Sequence, residues 1–247
     1  MENTLGRKVA IVTGAGRGVG RATSLLLAQH GARIVAVSRT ALELNQLAQE
    51  IEQLGGCCLP ICADVTQEAQ VVGMVQAALD SFGRVDILVN NAGLGSRDLV
   101  ENITVEEWDT VMAVNVKGVF LCTREVIRPM KAQGSGHIIN ISSGAGKQGY
   151  PEMALYCASK FAVMGLTQAL AVELADHNIR VTALCPGSID TSFVVRSRRG
   201  RPVAQSPVKL LSPQEVAQTV LYLLTQPEGA WTAEMNLWPF QVRPRSY

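Results

Sequence analysis

Residues 8–20 read Lys8-Val9-Ala10-Ile11-Val12-Thr13-Gly14-Ala15-Gly16-Arg17-Gly18-Val19-Gly20, and this stretch decides the fold. The apolar run predicts a buried strand over Lys8–Thr13, and the pattern that follows predicts a helix over Arg17–Gln29. Glycines between them let the backbone turn sharply and leave the N–H groups at the helix start open to a phosphate. Their spacing is not G-x-G-x-x-G, because neither 14/16/19 nor 16/18/21 is all glycine. The stretch therefore predicts a strand, a phosphate-binding turn and a helix.

The same alternation of strand and helix continues along the chain. Short Val/Ile/Leu runs predict further strands at Arg33–Ser38, Cys57–Ala63, Val85–Asn90, Gly136–Ser142, Ile179–Cys185 and near Ala233–Trp238. Helical patterns stand at Ala41–Leu54, Gln67–Phe82, Val105–Lys131, Met153–Asp176 and Pro213–Leu224. Continuously apolar strands fit a parallel sheet that is buried on both faces. We predict one α/β domain spanning residues 1–247, a Rossmann-type doubly wound parallel sheet between two helical layers.

Composition argues against several classes of function. The 247 residues carry a net charge of +1, from 22 Lys and Arg against 21 Asp and Glu, so no global field favours nucleic acid or an anionic membrane. We expect no signal peptide, and no apolar run reaches the ~18–20 residues that span a bilayer. The six cysteines form no C-x-x-C pair and indicate neither a disulfide framework nor a metal site. We expect a cytoplasmic protein with free, mostly buried thiols.

The end of the second predicted strand indicates which ligand the glycine turn holds. A glycine turn between the first strand and the first helix is typical of dinucleotide sites, where an acidic residue about 20 positions later binds the ribose 2′-hydroxyl of NAD(H). Ser38-Arg39 stands at that place, and Arg17 could supply a second guanidinium. A hydroxyl beside guanidinium groups suits a 2′-phosphate, which favours NADP(H). The alternative is that both arginines are solvated loop residues.

A second group of residues predicts proton chemistry. Tyr156 and Lys160 are four residues apart on one predicted helix, so they share a face, and Ser143 stands thirteen residues before the tyrosine. Neither side chain is a useful acid or base alone at neutral pH, because their ordinary pKa values lie near 10. An ammonium beside the phenol would lower the pKa of Tyr156, and the Ser143 hydroxyl could hold a carbonyl oxygen next to it. The three residues predict proton transfer to or from an alcohol or ketone oxygen.

With both groups in place, the chain resembles the short, single-domain branch of the short-chain dehydrogenase/reductase family over almost its whole length. The markers stand in the family's order: Thr13-Gly14-x-x-x-Gly18-x-Gly20, Asp64, Asn90-Asn91-Ala92-Gly93, Asn115, Ser143, Tyr156-x-x-x-Lys160 and Pro186-Gly187. Any one marker could arise by chance, but the ordered combination is specific. The resemblance implies an oxidoreductase that moves a hydride between a nicotinamide and a carbonyl carbon.

The resemblance also implies a role for each catalytic residue. Tyr156 would be the general acid in reduction and the base in oxidation. Lys160 would lower the pKa of Tyr156 and bind the nicotinamide ribose, while Ser143 would polarise the substrate carbonyl. Asn115 would hold a water that links Lys160 to solvent, and a local irregularity of its helix is reasonable because asparagine diverts backbone hydrogen bonds. The alternatives are that Asn115 is a satisfied interior amide and Tyr156 a core aromatic.

By the same resemblance, the cofactor would lie along the carboxyl ends of the strands. Asp64, followed by Val65, would accept from the adenine amino group, although Asp64 could merely cap the next helix. The Ile189 backbone and the Thr191 hydroxyl would meet the nicotinamide carboxamide. The full expected cofactor set is Gly14, Gly16, Arg17, Gly18, Val19, Gly20, Ser38, Arg39, Asp64, Val65, Asn91, Ala92, Gly93, Tyr156, Lys160, Pro186, Gly187, Ile189 and Thr191.

The substrate is expected to bind under a lid near residues 191–211. An arginine cluster there would either read an anionic substrate or belong to a solvated loop: Arg196, Arg198, Arg199 and Arg201. Further pocket candidates are Leu94, Ser96, Tyr150, Met153 and Phe193. The chain resembles 3-oxoacyl-thioester reductases, but Gln133-Gly134 and His177 stand where basic contacts to a carrier protein are expected, which weakens that substrate.

The predicted helix Met153–Asp176 indicates self-association. Its charged residues are Lys160, Glu173 and Asp176, so more than one of its faces must be covered. A symmetric partner helix would cover the face that the sheet leaves open. The family resemblance implies a homotetramer through this helix and Val105–Lys131, and a dimer is the alternative.

Together these observations predict an NADPH-dependent oxidoreductase that reduces a small-molecule ketone or other carbonyl, with a 3-oxoacyl thioester as one candidate. The alternative enzyme is an alcohol, sugar or steroid dehydrogenase that works mainly as an oxidant. A non-catalytic NADP(H) sensor is the alternative outside enzymes. The complete set Asn115, Ser143, Tyr156 and Lys160 argues against a sensor, which has no need of all four.

Overall fold

The protein is seen in a computed structural model that describes residues 3–191, 195–196 and 209–241, with the backbone alone at 195–196. Most of the predicted lid therefore lies outside the described residues, as do Phe193, Arg198, Arg199 and Arg201, and Arg196 is described by its backbone only. The strands are β1 (Val9–Thr13), β2 (Arg33–Ser38), β3 (Cys57–Cys62), β4 (Ile87–Asn90), β5 (Gly95–Ser96), β6 (Gly136–Ile141), β7 (Ile179–Pro186), β8 (Val195–Arg196) and β9 (Glu234–Leu237).

Seven of these strands form one parallel sheet in the order β3-β2-β1-β4-β6-β7-β9. The order runs outward in both directions from β1 and β4, so the winding of the chain reverses between these two strands. In such sheets ligands bind beyond the carboxyl ends of the strands at the reversal. The predicted doubly wound parallel sheet is confirmed, and the short parallel pair β5 and β8 was not expected.

Helices cover both faces of the sheet and make three layers. They are α1 (Gly18–Gln29), α2 (Ala41–Gln53), α3 (Glu68–Phe82), α4 (Val105–Met112), α5 (Gly118–Gln133), α6 (Ala154–Leu174) and α7 (Pro213–Leu224). Apolar side chains of α1, α2 and α7 pack with Ala10 and Val12 on one face, and those of α3, α5 and α6 pack with Val9 and Ile11 on the other. Successive residues of β1 thus serve opposite cores, as strand geometry requires.

The position of α6 in the core explains why this helix is unusually apolar. By length and composition alone, residues Ala154–His177 would suffice to cross a membrane. In this fold the helix packs along β7, and Leu155, Val163 and Leu174 on it are almost fully buried. The same burial encloses the Lys160 side chain.

Two boundaries differ from the sequence expectations for physical reasons. The single helix predicted over Val105–Lys131 is interrupted by a π-helical segment, Ala113–Lys117, which contains Asn115. The strand β4 begins at Ile87, two residues later than predicted, and the side chains of Asp86 and Gln133 hydrogen-bond to backbone groups next to its start. Asp86 Oδ2 accepts from the Val9 N–H at 2.8 Å, and Gln133 Oε1 accepts from the Val85 N–H at 3.1 Å.

Candidate active site

Several positions of the glycine turn between β1 and α1 exclude a side chain. Gly14 and Gly18 have φ angles of +65° and +56°, which favour glycine. A Cβ atom on Gly20 would collide with the carbonyl oxygen of Gly14. The N-cap residue Arg17 makes no side-chain bond to the first turn of α1, so its side chain does not cap the N–H groups that lack a partner within the helix. A phosphate can therefore approach this backbone closely.

Thr13 and Asn91 hold the glycine turn against the end of β4. The backbone N–H groups of Asn91 and Ala92 both donate to Thr13 Oγ1, each at 3.0 Å. The Asn91 amide donates to the carbonyl oxygens of Thr13 at 2.9 Å and Gly14 at 3.3 Å. Asn91 is predicted to line the cofactor site, and its amide also fixes the glycine turn. The role of Thr13 was missed, although it stands inside the glycine motif.

The residues predicted to bind the 2′-group of the adenine ribose lie around Gly16, at a site that we call the corner. Ser38 ends β2, and its Oγ lies 3.2 Å from the position that a Cβ atom on Gly16 would take. Arg17 and Arg39 are both exposed beside it. The carboxylate of Glu43, from the first turn of α2, reaches the same corner and would collide with a Cβ atom on Gly16. Sequence reasoning missed Glu43, because nothing in its spacing shows that this helix turn faces the glycines.

Asp64 and Val65 lie beyond β3, where the adenine contact was expected. Asp64 Oδ1 accepts from the backbone N–H of Thr66 at 2.9 Å and from its hydroxyl at 2.8 Å. This pattern stabilises the turn that leads into α3, which is the structural alternative considered for this residue. Val65 is buried against Gly118, where a Cβ atom would lie 2.8 Å from Val65 Cγ2.

Residues 186–191, which are predicted to contact the nicotinamide, are held by backbone hydrogen bonds at both ends of the segment. The Gly187 N–H, directly after β7, donates to the Leu237 carbonyl at 2.8 Å. The Asp190 N–H donates to the Leu211 carbonyl at 2.8 Å, and residue Ile189 bridges to Leu211. The Thr191 methyl group lies 3.6 Å from the Cβ position of Gly18, so the segment reaches across to the glycine turn.

Trp238 packs against two turns of the site, a contact that the sequence did not reveal. Its six-membered ring would lie 2.8 Å from a Cβ atom on Gly187, and a Cβ atom on Gly144 would meet the same ring at 2.5 Å. Gly144 directly follows Ser143, so the indole supports the turn that carries this residue. Both glycines are required here because any side chain would displace the indole.

The catalytic candidates Ser143, Tyr156 and Lys160 meet beyond the end of β6. The Ser143 hydroxyl accepts from the Ala145 N–H at 3.1 Å and is hydrogen-bonded to the Tyr156 phenol. The Lys160 ammonium donates to the Ile141 carbonyl at 2.8 Å and lies 5.7 Å from the centroid of the Tyr156 ring. The i, i+4 spacing on α6 therefore places phenol and ammonium in one space, as the sequence predicted.

Burial sets the pKa values of this pair. It raises the pKa of Tyr156 from 10 to about 12, while the hydrogen bond from Ser143 opposes the shift. It lowers the pKa of Lys160 from 10.5 to about 8. The pKa of Tyr156 thus lies above its ordinary value, whereas the sequence predicts a lower one, because loss of hydration is the largest influence on this phenol. At neutral pH the phenol is therefore protonated, as a proton donor must be.

Asn115 connects the π-helical segment to the catalytic helix. Its Oδ1 accepts from the Leu94 N–H at 2.7 Å, and its Nδ2 donates to the Leu94 carbonyl at 2.9 Å and to Ser159 Oγ at 3.0 Å. A Cβ atom on Gly93 would lie 3.4 Å from Asn115 Oδ1 and 3.9 Å from Lys160 Nζ. The amide is therefore hydrogen-bonded within the protein, which agrees with the alternative of a satisfied interior amide.

Burial of Lys160 predicts a pH-dependent stability. Between pH 8 and 10.5 the unfolded chain still holds a proton that the folded chain has released, so the free energy of unfolding rises with pH in this window. From pH 7 to pH 9.5 we expect the wild-type value, minus that of Lys160→Met, to rise by about 2 kcal/mol in urea titrations. Replacing the exposed Lys131 by methionine is the control and should give no such rise. A flat difference for Lys160→Met would mean that the ammonium is solvated.

Comparison with known proteins identifies the family. The family model of short chain dehydrogenases matches residues 8–202. A 3-oxoacyl-[acyl-carrier-protein] reductase of Thermotoga maritima is 39% identical over 232 residues, which cover 92% of this chain and 94% of the relative. A metagenomic short-chain oxidoreductase solved with NADP superposes with a TM-score of 0.84 at 33% identity, covering 97% of this chain and all of that one. A 3-ketoacyl-(acyl-carrier-protein) reductase of Brucella melitensis solved with NADH gives 0.83 at 36% identity, covering 94% and 96% of the two chains. The chain therefore belongs to the short-chain dehydrogenase family of oxidoreductases.

Proposed function

We propose that this protein is an NADPH-dependent reductase that converts a ketone or other carbonyl into a hydroxyl group. The observation that carries the proposal is the meeting of Ser143, Tyr156 and Lys160 at the same sheet edge as the glycine turn. A hydroxyl, a protonated phenol and a buried ammonium form a site for a carbonyl oxygen that gains a proton. The glycine turn offers a place for the phosphates of the hydride donor.

The cofactor assignment rests on the shape and charge of the glycine turn. A Cβ atom on Gly14 or Gly20 would collide with neighbouring protein atoms, so the tight turn that leads into the α1 N-terminus depends on glycine at both positions. Such a turn leaves the N–H groups of the helix start open to a phosphate. Arg17 and Arg39 would hold the 2′-phosphate, and Ser38 would donate its hydroxyl to it. When bound, NADPH supplies the hydride that reduces the carbonyl carbon. Relatives solved with NADP and with NADH support a nicotinamide dinucleotide at this place.

Tyr156 would give its proton to the carbonyl oxygen while Ser143 keeps that oxygen in reach. The pKa of about 12 keeps the phenol protonated until a stronger base appears, such as the oxygen of a carbonyl that is being reduced. Lys160 then stabilises the phenolate by its charge. Its pKa of about 8 lets it lose and regain a proton near neutral pH, which supports a role in restoring the proton of Tyr156.

The substrate is proposed as a carbonyl compound, with 3-oxoacyl thioesters as one candidate that the relatives support. Delivery by a carrier protein has less support. Gln133 is engaged with Val85, donating to its carbonyl at 2.9 Å and accepting from its N–H, and is therefore a structural residue rather than a free surface contact. We therefore favour a free thioester or a smaller ketone as the substrate.

The protein is also proposed to be a cytoplasmic homo-oligomer. On α5 and α6, Phe120, Phe161 and Val172 leave 45%, 47% and 79% of their surface exposed, which supports association through these helices. Of the six cysteines, which were expected to be mostly buried, Cys122, Cys157 and Cys185 are buried, whereas Cys57 and Cys62 are exposed. Light scattering on the purified protein measures the assembly, and a monomer would contradict it.

The proposed reaction is tested by a substrate panel with NADPH. Ketones, β-ketoacyl thioesters and sugars are each mixed with enzyme and cofactor, and the loss of NADPH fluorescence is followed. We expect turnover on at least one carbonyl class. Activity only with alcohols and NADP would point to an oxidant, and tight NADPH binding without turnover on any carbonyl or alcohol would favour a sensor.

A further inference from the structure

Glu43 places a negative charge at the corner where a 2′-phosphate would bind. Its carboxylate reaches across from the first turn of α2 and takes the space that a side chain on Gly16 would need. The Ser38 hydroxyl is at the same corner, 3.2 Å from the Cβ position of Gly16. Glu43 is half-buried, and both its carboxylate and its Cβ atom lie next to the Cβ position of Gly16.

The arginines at this corner do not neutralise Glu43 directly. Among the described residues, the ion pairs of α2 and its neighbours include Arg21 with Glu50, but none joins Glu43 to Arg17 or Arg39. The corner therefore combines two exposed cations with one carboxylate that is not committed to either of them. Such a set can accept a hydrogen bond from a hydroxyl as well as attract a phosphate.

We propose that Glu43 is a specificity-determining residue that lets this enzyme accept NAD(H) as well as NADP(H). The inference rests on the proposed function, since it assumes that a nicotinamide dinucleotide lies along the glycine turn. The carboxylate accepts the ribose 2′-hydroxyl of NAD(H), a role usually filled by an acidic residue at the end of β2. Toward NADP(H) the same carboxylate repels the 2′-phosphate and limits the preference that Arg17 and Arg39 create.

The size of the effect follows from charge and exposure. A 2′-phosphate carries between one and two negative charges near neutral pH, and the corner is open to solvent, so the repulsion is moderate. Removing the charge of Glu43 should strengthen NADPH binding by about tenfold. Glutamine keeps an acceptor oxygen for the 2′-hydroxyl, so NADH binding should weaken only a few-fold. The ratio of the two affinities is the informative quantity, because it cancels any general change in the site.

The experiment is a fluorescence titration of NADPH and NADH into the full protein, which needs no substrate. Wild type is compared with Glu43→Gln and with Glu52→Gln. Glu52 is exposed and follows Glu43 by nine residues, which places it on the opposite face of the same helix. We expect the ratio of Kd for NADH to Kd for NADPH to rise at least tenfold in Glu43→Gln and to stay constant in Glu52→Gln. The rise should shrink at high salt, because it is electrostatic.

Two other outcomes overturn the inference. An unchanged ratio in Glu43→Gln would show that the carboxylate does not face the 2′-group. A weaker affinity for NADPH would show that Glu43 orients the arginines toward the phosphate and so supports NADP(H) specificity. These results differ from failure of the proposed function itself, in which neither dinucleotide binds to the wild-type protein.

Discussion

Replacing Tyr156 by phenylalanine should lower kcat by about 10²–10⁴-fold and leave the affinity for NADPH nearly unchanged. The substitution removes one hydroxyl and keeps the ring that lies beneath Lys160. Because burial holds the pKa of the phenol at about 12, wild type carries a proton on this oxygen throughout the neutral range. The loss is therefore the loss of the proton donor itself and not of a charge. Turnover on the best carbonyl of the panel and a fluorescence titration of NADPH provide the two measurements.

The matched control for this change is Tyr222→Phe. Tyr222 lies on α7 with 56% of its surface exposed, so removing its hydroxyl should alter neither turnover nor affinity. Retention of more than a tenth of wild-type turnover in Tyr156→Phe would contradict the assignment of Tyr156 as proton donor. Ser143 would then be the next candidate, since its hydroxyl is hydrogen-bonded to the same phenol.

The features that could be predicted from sequence are those that depend on regular geometry. Side chains four residues apart on a helix share a face, so the meeting of Tyr156 and Lys160 followed from their spacing alone. Continuous apolar strands alternating with helices predict a parallel sheet, and the carboxyl ends of such strands gather at one edge. Gly14 and Gly18 were recognised as a turn, and their positive φ angles agree with that prediction.

The features that were missed depend on contacts between distant parts of the chain. Trp238 follows the last strand of the sheet and touches Gly144 and Gly187, and no local pattern signals such an approach. Glu43 is similar, since a helix turn after β2 reaches back to a turn after β1. The direction of the Tyr156 pKa was wrong because spacing reveals the neighbouring charge but not the depth of burial. Burial is a property of the whole fold.

Changing Arg39 to aspartate together with Arg17 to serine should reverse the cofactor preference toward NADH. Each guanidinium can form charge-assisted hydrogen bonds with a 2′-phosphate, and such bonds contribute about 1.5–3 kcal/mol each. The new carboxylate at position 39 would in addition repel the phosphate and, like Glu43, accept the ribose 2′-hydroxyl. We expect the ratio of kcat/KM for NADPH to that for NADH to fall by about 10²–10³-fold, with most of the change in the KM for NADPH.

Arg128→Ser provides the control, because Arg128 is an exposed arginine on α5 at some distance from the glycine turn. It should leave the ratio unchanged, which separates the loss of a specific phosphate contact from a general loss of positive charge. Adding Glu43→Gln to the double variant tests whether Arg17, Arg39 and Glu43 act on the same ligand group. The three side chains share a ligand group, so their effects should not add: once Arg17 and Arg39 are gone, NADPH binds too weakly for relief of the Glu43 repulsion to restore it. An unchanged ratio in the double variant would show that the 2′-phosphate does not bind beside Arg17 and Arg39. It would also contradict the proposed role of Glu43.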